Sequence, residues 1–242
     1  MNLDGYALPV KKLKGTEPVE SLDLSSKSLG VNSAIVIASL IGVNASLTSI
    51  NLKDNRLGDV GWCAIFDALR DNPQNKIKEW DLERQGINST VAKSLADYVA
   101  VSGSLTSCDV RDNQIVGDGA SQLSAAVLTN TKIEKFNEIP IKEMRADSLT
   151  ELDLKSKNIG VEGGMVVAGL VPVMGSLTKL SLAANMLREE GTKAICQSLK
   201  ANRTLKELDI SGSYSDSNIG GAAGAKHVAD MLHVNGSLTS VC

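Results

Sequence analysis

The residues that most often carry catalysis are few in this chain and poorly spaced for it. Its two histidines, His227 and His233, lie six positions apart in one segment, which is not the i, i+4 spacing of a metal pair on a helix. Because both fall in one segment, no Ser-His-Asp or Cys-His order can be argued from them. The stretch from Gly220 to Lys226 lacks the Gly-Lys-Ser/Thr ending of a phosphate loop. The sequence therefore predicts no catalytic residue, no metal site and no cofactor, and a protein that is not an enzyme.

The cysteines indicate a compartment rather than a reaction. They are scattered and form no Cys-x-x-Cys pair: Cys63, Cys108, Cys196 and Cys242. This pattern favours free thiols in a reducing compartment, so we expect a cytoplasmic protein.

The formal net charge of −3 and the lack of a basic run argue against nucleic acid as a partner. No apolar run reaches the roughly 18 residues that a membrane span needs, so none is predicted.

Carboxylates recur at one position of a short alternating segment. The position is filled in turn by Asp23, Asn51, Asp81, Asp109, Asn137, Asp153, Ser181 and Asp209. Alternation places this position on the open face of a strand. The segment "KEWDLERQ" adds Glu79 and Glu83 to Asp81, and Lys53, Arg111 and Lys155, two positions further along their segments, partly offset the acidic charge. We expect this acidic patch to prefer basic protein partners. The alternative is that Leu-Asp-Leu is only a property of the repeat.

One loop is longer than its relatives and carries a single aromatic residue. The stretch "ISGSYSDSNIGG" has about four extra residues, and Tyr214 is its aromatic side chain. Tyr214 is a candidate anchor for a partner, since aromatic residues are enriched among binding hot spots. The alternative is an ordinary solvated loop.

These segments belong to an internal repeat, which also predicts the elements that position them. Units begin at Val19, Leu47, Ile77, Leu105, Ile133, Leu149, Leu177, Leu205 and Leu238, with spacings of 28, 30, 28, 28, 16, 28, 28 and 33 residues. Each unit opens with period-two alternation, continues through a turn, and ends in a helical segment. A strand and a helix of this length cannot bury their apolar faces alone, so stacked units must share one core.

The pattern LxxLxLxxNxLGxxG…AxxLxxxLxxNxxLT, from Val19 to Leu238, resembles the ribonuclease-inhibitor type of leucine-rich repeat. The resemblance implies an α/β solenoid, or horseshoe, with a parallel sheet on its concave face and helices on its convex face. It also implies a non-catalytic scaffold that binds partner proteins through its repeat surface. The alternative is a regulator of a partner enzyme, similar to leucine-rich-repeat GTPase-activating proteins. The turn asparagine of this repeat is present at Asn55, Asn113 and Asn185, and is replaced by Lys27, Gln85, Lys157 and Ser217.

A short unit interrupts the array at residues 133–148. It can be aligned with the N-terminal segment, Pro140 on Pro9 and Lys142 on Lys11, which predicts a super-repeat of about 130 residues. We expect a helix-less joint there, because Pro140 ends the strand. Residues 1–242 then form one domain of about eight units. Its strands are predicted near residues 21–24, 49–52, 79–82, 107–110, 135–138, 151–154, 179–182 and 207–210, all parallel and in one sheet.

Two further features predict surfaces that need covering. The helices after the two joint segments are apolar on their outer face, at Ile35, Val36, Leu40, Met165, Val166 and Leu170. Either the joint segments and neighbouring helices cover these residues, or a partner or second copy does. The half-unit that begins at Leu238 shows no polar cap, which predicts further repeats or end-to-end pairing through residues 205–242.

Overall fold

The computed structural model describes residues 2–212 and 217–242, and it shows one strand and one helix in each repeat. After an antiparallel hairpin of β1 (Asn2–Leu3) and β2 (Tyr6–Ala7), the solenoid strands are β3 (Ser21–Asp23), β4 (Ser49–Asn51), β5 (Glu79–Asp81), β6 (Ser107–Asp109), β7 (Lys135–Phe136), β8 (Glu151–Asp153), β9 (Lys179–Ser181), β10 (Glu207–Asp209) and β11 (Ser240–Val241). The helices are α1 (Val10–Lys14), α2 (Val31–Ile41), α3 (Gly58–Arg70), α4 (Ser89–Val101), α5 (Gly117–Thr129), α6 (Ile141–Arg145), α7 (Gly160–Leu170), α8 (Arg188–Leu199) and α9 (Gly221–Leu232).

The solenoid strands lie where the alternating pattern predicts them. Paired strands are parallel, and equivalent residues face each other, as Leu152, Leu180 and Leu208 do along β8, β9 and β10. This register follows from the repeat, because a slip of one residue would turn every apolar side chain to solvent. The α/β leucine-rich repeat solenoid is therefore confirmed.

The core lies between the sheet and the helices and continues from unit to unit. Residues that directly follow a strand, such as Leu24 and Leu82, and helix residues such as Ile65 and Leu95 are fully buried in it. Each such side chain contributes roughly 1.5–3 kcal/mol relative to exposure. Each unit relies on its neighbours for this burial, which explains why the elements can be so short.

A column of asparagines ties the turns together. The Asn55 side chain donates to the carbonyls of Leu24 and Leu52, at 2.8 and 2.9 Å, and accepts from the backbone of Leu29 at 2.9 Å. Asn113 and Asn185 make the same kind of bonds. In the last unit the position belongs to Asn218, which is buried and bonded to four backbone groups. The assignment of this position to Ser217 is wrong, because the longer loop shifts the turn by one residue.

The prediction of one continuous sheet is wrong, because the ladder of strand pairs has two interruptions within the described residues. Between β4 and β5 a single backbone-to-backbone hydrogen bond remains, from the amide of Lys78 to the carbonyl of Thr48 at 2.9 Å. This unit is two residues longer than most, and the indole of Trp80 fills an inward position that holds Leu, Ile, Cys or Phe in other units. The interruption coincides with the longer loop between α3 and β5.

The second interruption lies at the short unit, between β7 and β8. After Phe136 the backbone turns through Asn137 and Glu138, which have φ values of 48° and 66°. Ile139 donates to the carbonyl of Phe136 at 2.7 Å, so the chain folds back instead of presenting an edge to β8. Left-handed backbone at two successive residues is incompatible with a continuing strand.

The prediction of a helix-less joint is also wrong, since α6 occupies it. Its five residues make slightly more than one turn. Strand β7 ends at Phe136, before Pro140 is reached. Pro140 instead precedes α6, and proline suits a helix start because its fixed φ is helical and its missing amide is not needed there. Pro9 and Pro140 have nearly the same backbone angles, φ −77° and ψ 71° against φ −81° and ψ 76°. This likeness supports the predicted super-repeat.

The two apolar convex helices differ in what covers them. On α7, Val166 and Leu170 are buried, so the prediction that they face outward is wrong. Because α6 is so short, α5 packs directly against α7, with Leu128 lying against Gly169. On α2, Ile35 is 45% exposed, while Val36 and Leu40 are only partly buried. Neighbouring helices therefore cover α7 but leave part of α2 open.

Candidate protein-binding face

The predicted acidic patch forms on the open face of β5 and β6. Along β5 the side chains alternate, with Glu79 and Asp81 exposed and Trp80 buried between them. The parallel register places Asp109 directly beside Asp81. Carboxylate oxygens of Asp81, Glu83 and Asp109 lie within 4.8 Å of one another. The structure thus brings together the residues that the sequence predicted, which we call the β5–β6 patch: Glu79, Asp81, Glu83, Asp109 and Arg111.

Basic side chains from neighbouring units partly neutralise the β5–β6 patch. Lys53 donates to Asp81 across the interrupted β4–β5 boundary. The guanidinium of Arg111 bonds both oxygens of Asp109, at 2.7–3.0 Å, and this bond raises the pKa of Arg111. Arg84 approaches Glu83 at 3.7 Å and bonds Asp112 at 2.8 Å. The patch is therefore a mixed charged surface in which the described residues provide no cation for Glu79.

The three close carboxylates could in principle bind a cation, since oxygen donors suit hard metal ions. Two of the three already bond a basic side chain, Lys53 or Arg111. A metal ion would have to displace both of these groups. The absence of a metal site therefore stays a prediction.

The other candidates from the sequence do not join this patch. Tyr214 lies outside the described residues. His227 approaches Glu189 of α8, with 3.5 Å between Nε2 and Oε1, and is not paired with His233. Burial raises the pKa of the Cys108 thiol and raises that of Cys196 to about 11, so these two thiols are protonated at neutral pH and poorly reactive.

Sequence reasoning missed a groove on the same face, over strands β8 to β11. Its volume is about 360 Å³. Its charged lining comes from Glu151, Asp153, Lys155, Lys179, Glu207 and Asp209. The spacing of 28 residues between Asp153, Ser181 and Asp209 was the signal that could have identified it. We call this feature the β8–β11 groove.

Sequence reasoning also missed a buried carboxyl group at the joint. Glu162, in the first turn of α7, is only 4% exposed. Its Oε1 accepts a hydrogen bond from the amide of Asn137 at 3.0 Å. Burial raises the pKa of Glu162 to about 8, although Asn137 and the charge of Arg188 act in the opposite direction. Asn137 belongs to the short unit, so this unit contributes to the burial of Glu162.

Comparisons with known proteins agree with this architecture. A family model described as a leucine-rich repeat matches residues 43–65. The ribonuclease inhibitor of Mus musculus is 26% identical over 224 residues, which cover 86% of this chain and 49% of the inhibitor. That of Sus scrofa is 28% identical over 209 residues, covering 81% and 46%. NACHT, LRR and PYD domains-containing protein 3 of Macaca mulatta is 27% identical over 179 residues, covering 74% and 16%.

The chain spans about half the length of the ribonuclease inhibitors it matches. In the described part of the chain, no helix has both the length and the apolar character needed to cross a bilayer. The repeat length, the asparagine column and these relatives agree on one type of repeat. The chain is thus similar in sequence and in fold to leucine-rich repeat proteins of the ribonuclease-inhibitor type.

Proposed function

We propose that this chain is a non-catalytic scaffold that binds one or more partner proteins through its concave face, with the β5–β6 patch at the contact. Support comes first from its repeat type, since the curated relatives include proteins named for the inhibition of ribonuclease. Support also comes from the sheet itself, whose open face carries charged side chains on a backbone fixed by strand pairs and asparagines. Such a surface is organised before binding, so little conformational entropy is lost when a partner docks.

The observation that carries the proposal is the convergence of Glu79, Asp81, Glu83 and Asp109 on two adjacent strands. Lys53 and Arg111 offset only part of this charge. A basic partner surface would therefore meet a net attractive field. Such attraction raises the association rate and weakens with added salt.

The test compares one charge-reversal variant with a matched control. Glu79→Lys with Asp81→Lys reverses the patch, and Asp67→Lys with Asp118→Lys makes the same change in charge away from it, at half-buried Asp67 of α3 and exposed Asp118 of α5. We expect proteins captured by the wild-type chain to be lost with the first variant and retained with the second. Their retention should also fall as salt rises. Equal capture by both variants would show that the patch is not the contact.

The same experiment separates a scaffold from a regulator of a partner enzyme. If the captured protein is an enzyme, its rate is measured with and without this chain. A rate changed by the wild-type chain and unchanged by the patch variant would establish regulation through this face. An unchanged rate with intact binding is the outcome that the scaffold proposal expects.

A further inference from the structure

The charged side chains of the β8–β11 groove form two rows across the strands. In the first row, Lys179 stands between Glu151 and Glu207, its register partners on β8 and β10. Its ammonium group lies 3.2 Å from a carboxylate oxygen of Glu207. The pKa of Lys179 is raised first by this hydrogen bond, then by the charges of Glu207 and Glu151. The first row therefore contains its own cation between two anions.

The second row repeats the two anions without the cation. Asp153 and Asp209 occupy its outer strands, and Ser181 stands between them. Each aspartate accepts hydrogen bonds from its own turn through Oδ1, Asp153 from the amide of Lys155 at 2.9 Å and Asp209 from the amide of Ser211 at 3.0 Å. Among the described residues, neither aspartate forms an ion pair and neither Oδ2 has a hydrogen-bond partner.

Comparison with the first half of the chain shows why Asp153 and Asp209 have no lysine between them. Lys53, two residues after the end of β4, bonds Asp81 of the next strand. Lys155 holds the equivalent position after β8, but the next strand presents Ser181 instead of a carboxylate. In all, four carboxylates and two lysines line the groove, which leaves it net acidic.

We propose that the gap over Ser181 receives a lysine or arginine side chain from a segment of the partner protein. Neighbouring parallel strands lie about 4.8 Å apart, so a cation over Ser181 would be roughly 5 Å from each flanking carboxylate. The second row would then have a cation between two carboxylates, as the first row has with Lys179. The Ser181 hydroxyl is small and can accept one further hydrogen bond from the cation. This inference rests on the proposed protein-binding function and assigns one contact within it.

The test uses two short synthetic peptides that differ only at one residue. One is an extended Gly/Ser peptide with a central arginine, and the other has norleucine there. Backbone amide shifts of the full chain are followed by NMR during titration. The arginine peptide should give saturable shifts at Asp153, Ser181 and Asp209, and the norleucine peptide should not. Asp153→Asn with Asp209→Asn should weaken binding roughly tenfold, since two exposed ion pairs are lost.

Two further variants separate charge from shape. Ser181→Lys places a tethered cation in the gap and should abolish the shifts, whereas Ser181→Gln, of similar length and without charge, should retain part of them. Asp67→Asn with Asp118→Asn repeats the loss of charge on α3 and α5 and should leave binding unchanged. Melting of each variant confirms that it is folded.

The outcomes also separate this contact from the function it rests on. Shifts confined to residues 79–111 would overturn the contact over Ser181 and leave the protein-binding proposal intact. No arginine-specific shift, or shifts that survive in the Ser181→Lys variant, would overturn the contact as well. Loss of partner capture in the β5–β6 patch variant is measured independently and does not depend on either result.

Discussion

At the scale of single residues, Glu162 departs furthest from the usual behaviour of its type. Carboxyl groups in folded proteins are normally ionised at neutral pH, whereas burial raises the pKa of Glu162 to about 8. The groups that face it are Asn137, which donates to Oε1, Arg188, whose charge favours ionisation, and Asp109, whose charge opposes it. The folded protein therefore holds a proton at neutral pH that the unfolded chain releases.

This proton predicts how stability depends on pH. Because the folded pKa is raised, the folded state binds more protons between the ordinary value of 4.5 and about 8, so the unfolding free energy falls as pH rises through that range. The Glu162→Gln variant keeps an acceptor for Asn137 but has no proton to release. We expect it to reduce the difference in unfolding free energy between low and high pH by several kcal/mol at most. Urea unfolding of both proteins at about pH 5 and about pH 9 measures it.

Glu143→Gln is the matched control, since Glu143 is an exposed residue of α6 within the same joint. It should keep the pH dependence of the wild type. Parallel pH profiles for wild type and Glu162→Gln would mean that Glu162 is ionised or solvated in the folded protein.

At the scale of elements, α6 fixes the end of α5. The guanidinium of Arg145 donates to the carbonyls of Val127, Leu128, Asn130 and Ile133 at 2.8–3.1 Å. The last carbonyls of a helix have no partner within the helix, and a cation there also favours the helix dipole. Alignment with the N-terminal segment places Lys14 opposite Arg145. A lysine has three donors on one atom and cannot span these four acceptors as a guanidinium does.

Arg145→Met should therefore destabilise the protein by roughly 2–3 kcal/mol, because a partly buried charged donor is lost and several carbonyls are left without it. Arg145→Lys should recover only part of this loss. Hydrogen exchange should show faster opening at the last turn of α5 in both variants. The control is Arg203→Met, which removes an exposed arginine from the carbonyls of Lys200 and Asn202 and should cost no more than about 0.5 kcal/mol. Equal losses for Arg145 and Arg203 would contradict a special role for α6.

The sequence predicted the elements that recur at the regular spacing of the repeat, and it missed features at the short unit, where that spacing is broken. Alternating Leu-x-Leu segments located the strands, and a spacing of 28 residues placed Asp81 beside Asp109. It missed α6 because Pro140 is consistent with both a strand end and a helix start. It predicted that Lys53 and Arg111 partly offset the acidic charge, but not which carboxylate each would bond, since that depends on rotamers. Glu162 gave no signal, because its burial depends on the short unit and on Asn137, whose left-handed turn was not predicted.

At the scale of the whole molecule, burial declines toward the last unit. Helix α4 buries six residues, and α9 buries only Gly224 and Met231. Local stability follows the number of buried apolar contacts, so the last unit should open first. We expect amides of α9 to exchange fastest among the long helices in a dilute sample, and appended repeats to slow this exchange.

Concentration dependence extends this test. If residues 205–242 pair end to end, exchange in α9 should slow as protein concentration rises, while exchange in α4 stays constant. Slower exchange in α9 than in α4 for the dilute protein would show that this end is already the more stable one.

The short unit also determines how this solenoid responds to a bending load. On the sheet side, β7 and β8 share no ladder, and the bridges that cross the joint there are few, such as that from Asn137 to Ile159. On the helix side, α5 and α7 are in close contact. A two-layer structure in which one layer is continuous and the other is interrupted bends most easily at the interruption, and the continuous layer serves as the hinge. The radius of this horseshoe can therefore change at this joint, by opening of the concave side at residues 136–151 while the helix layer stays in contact.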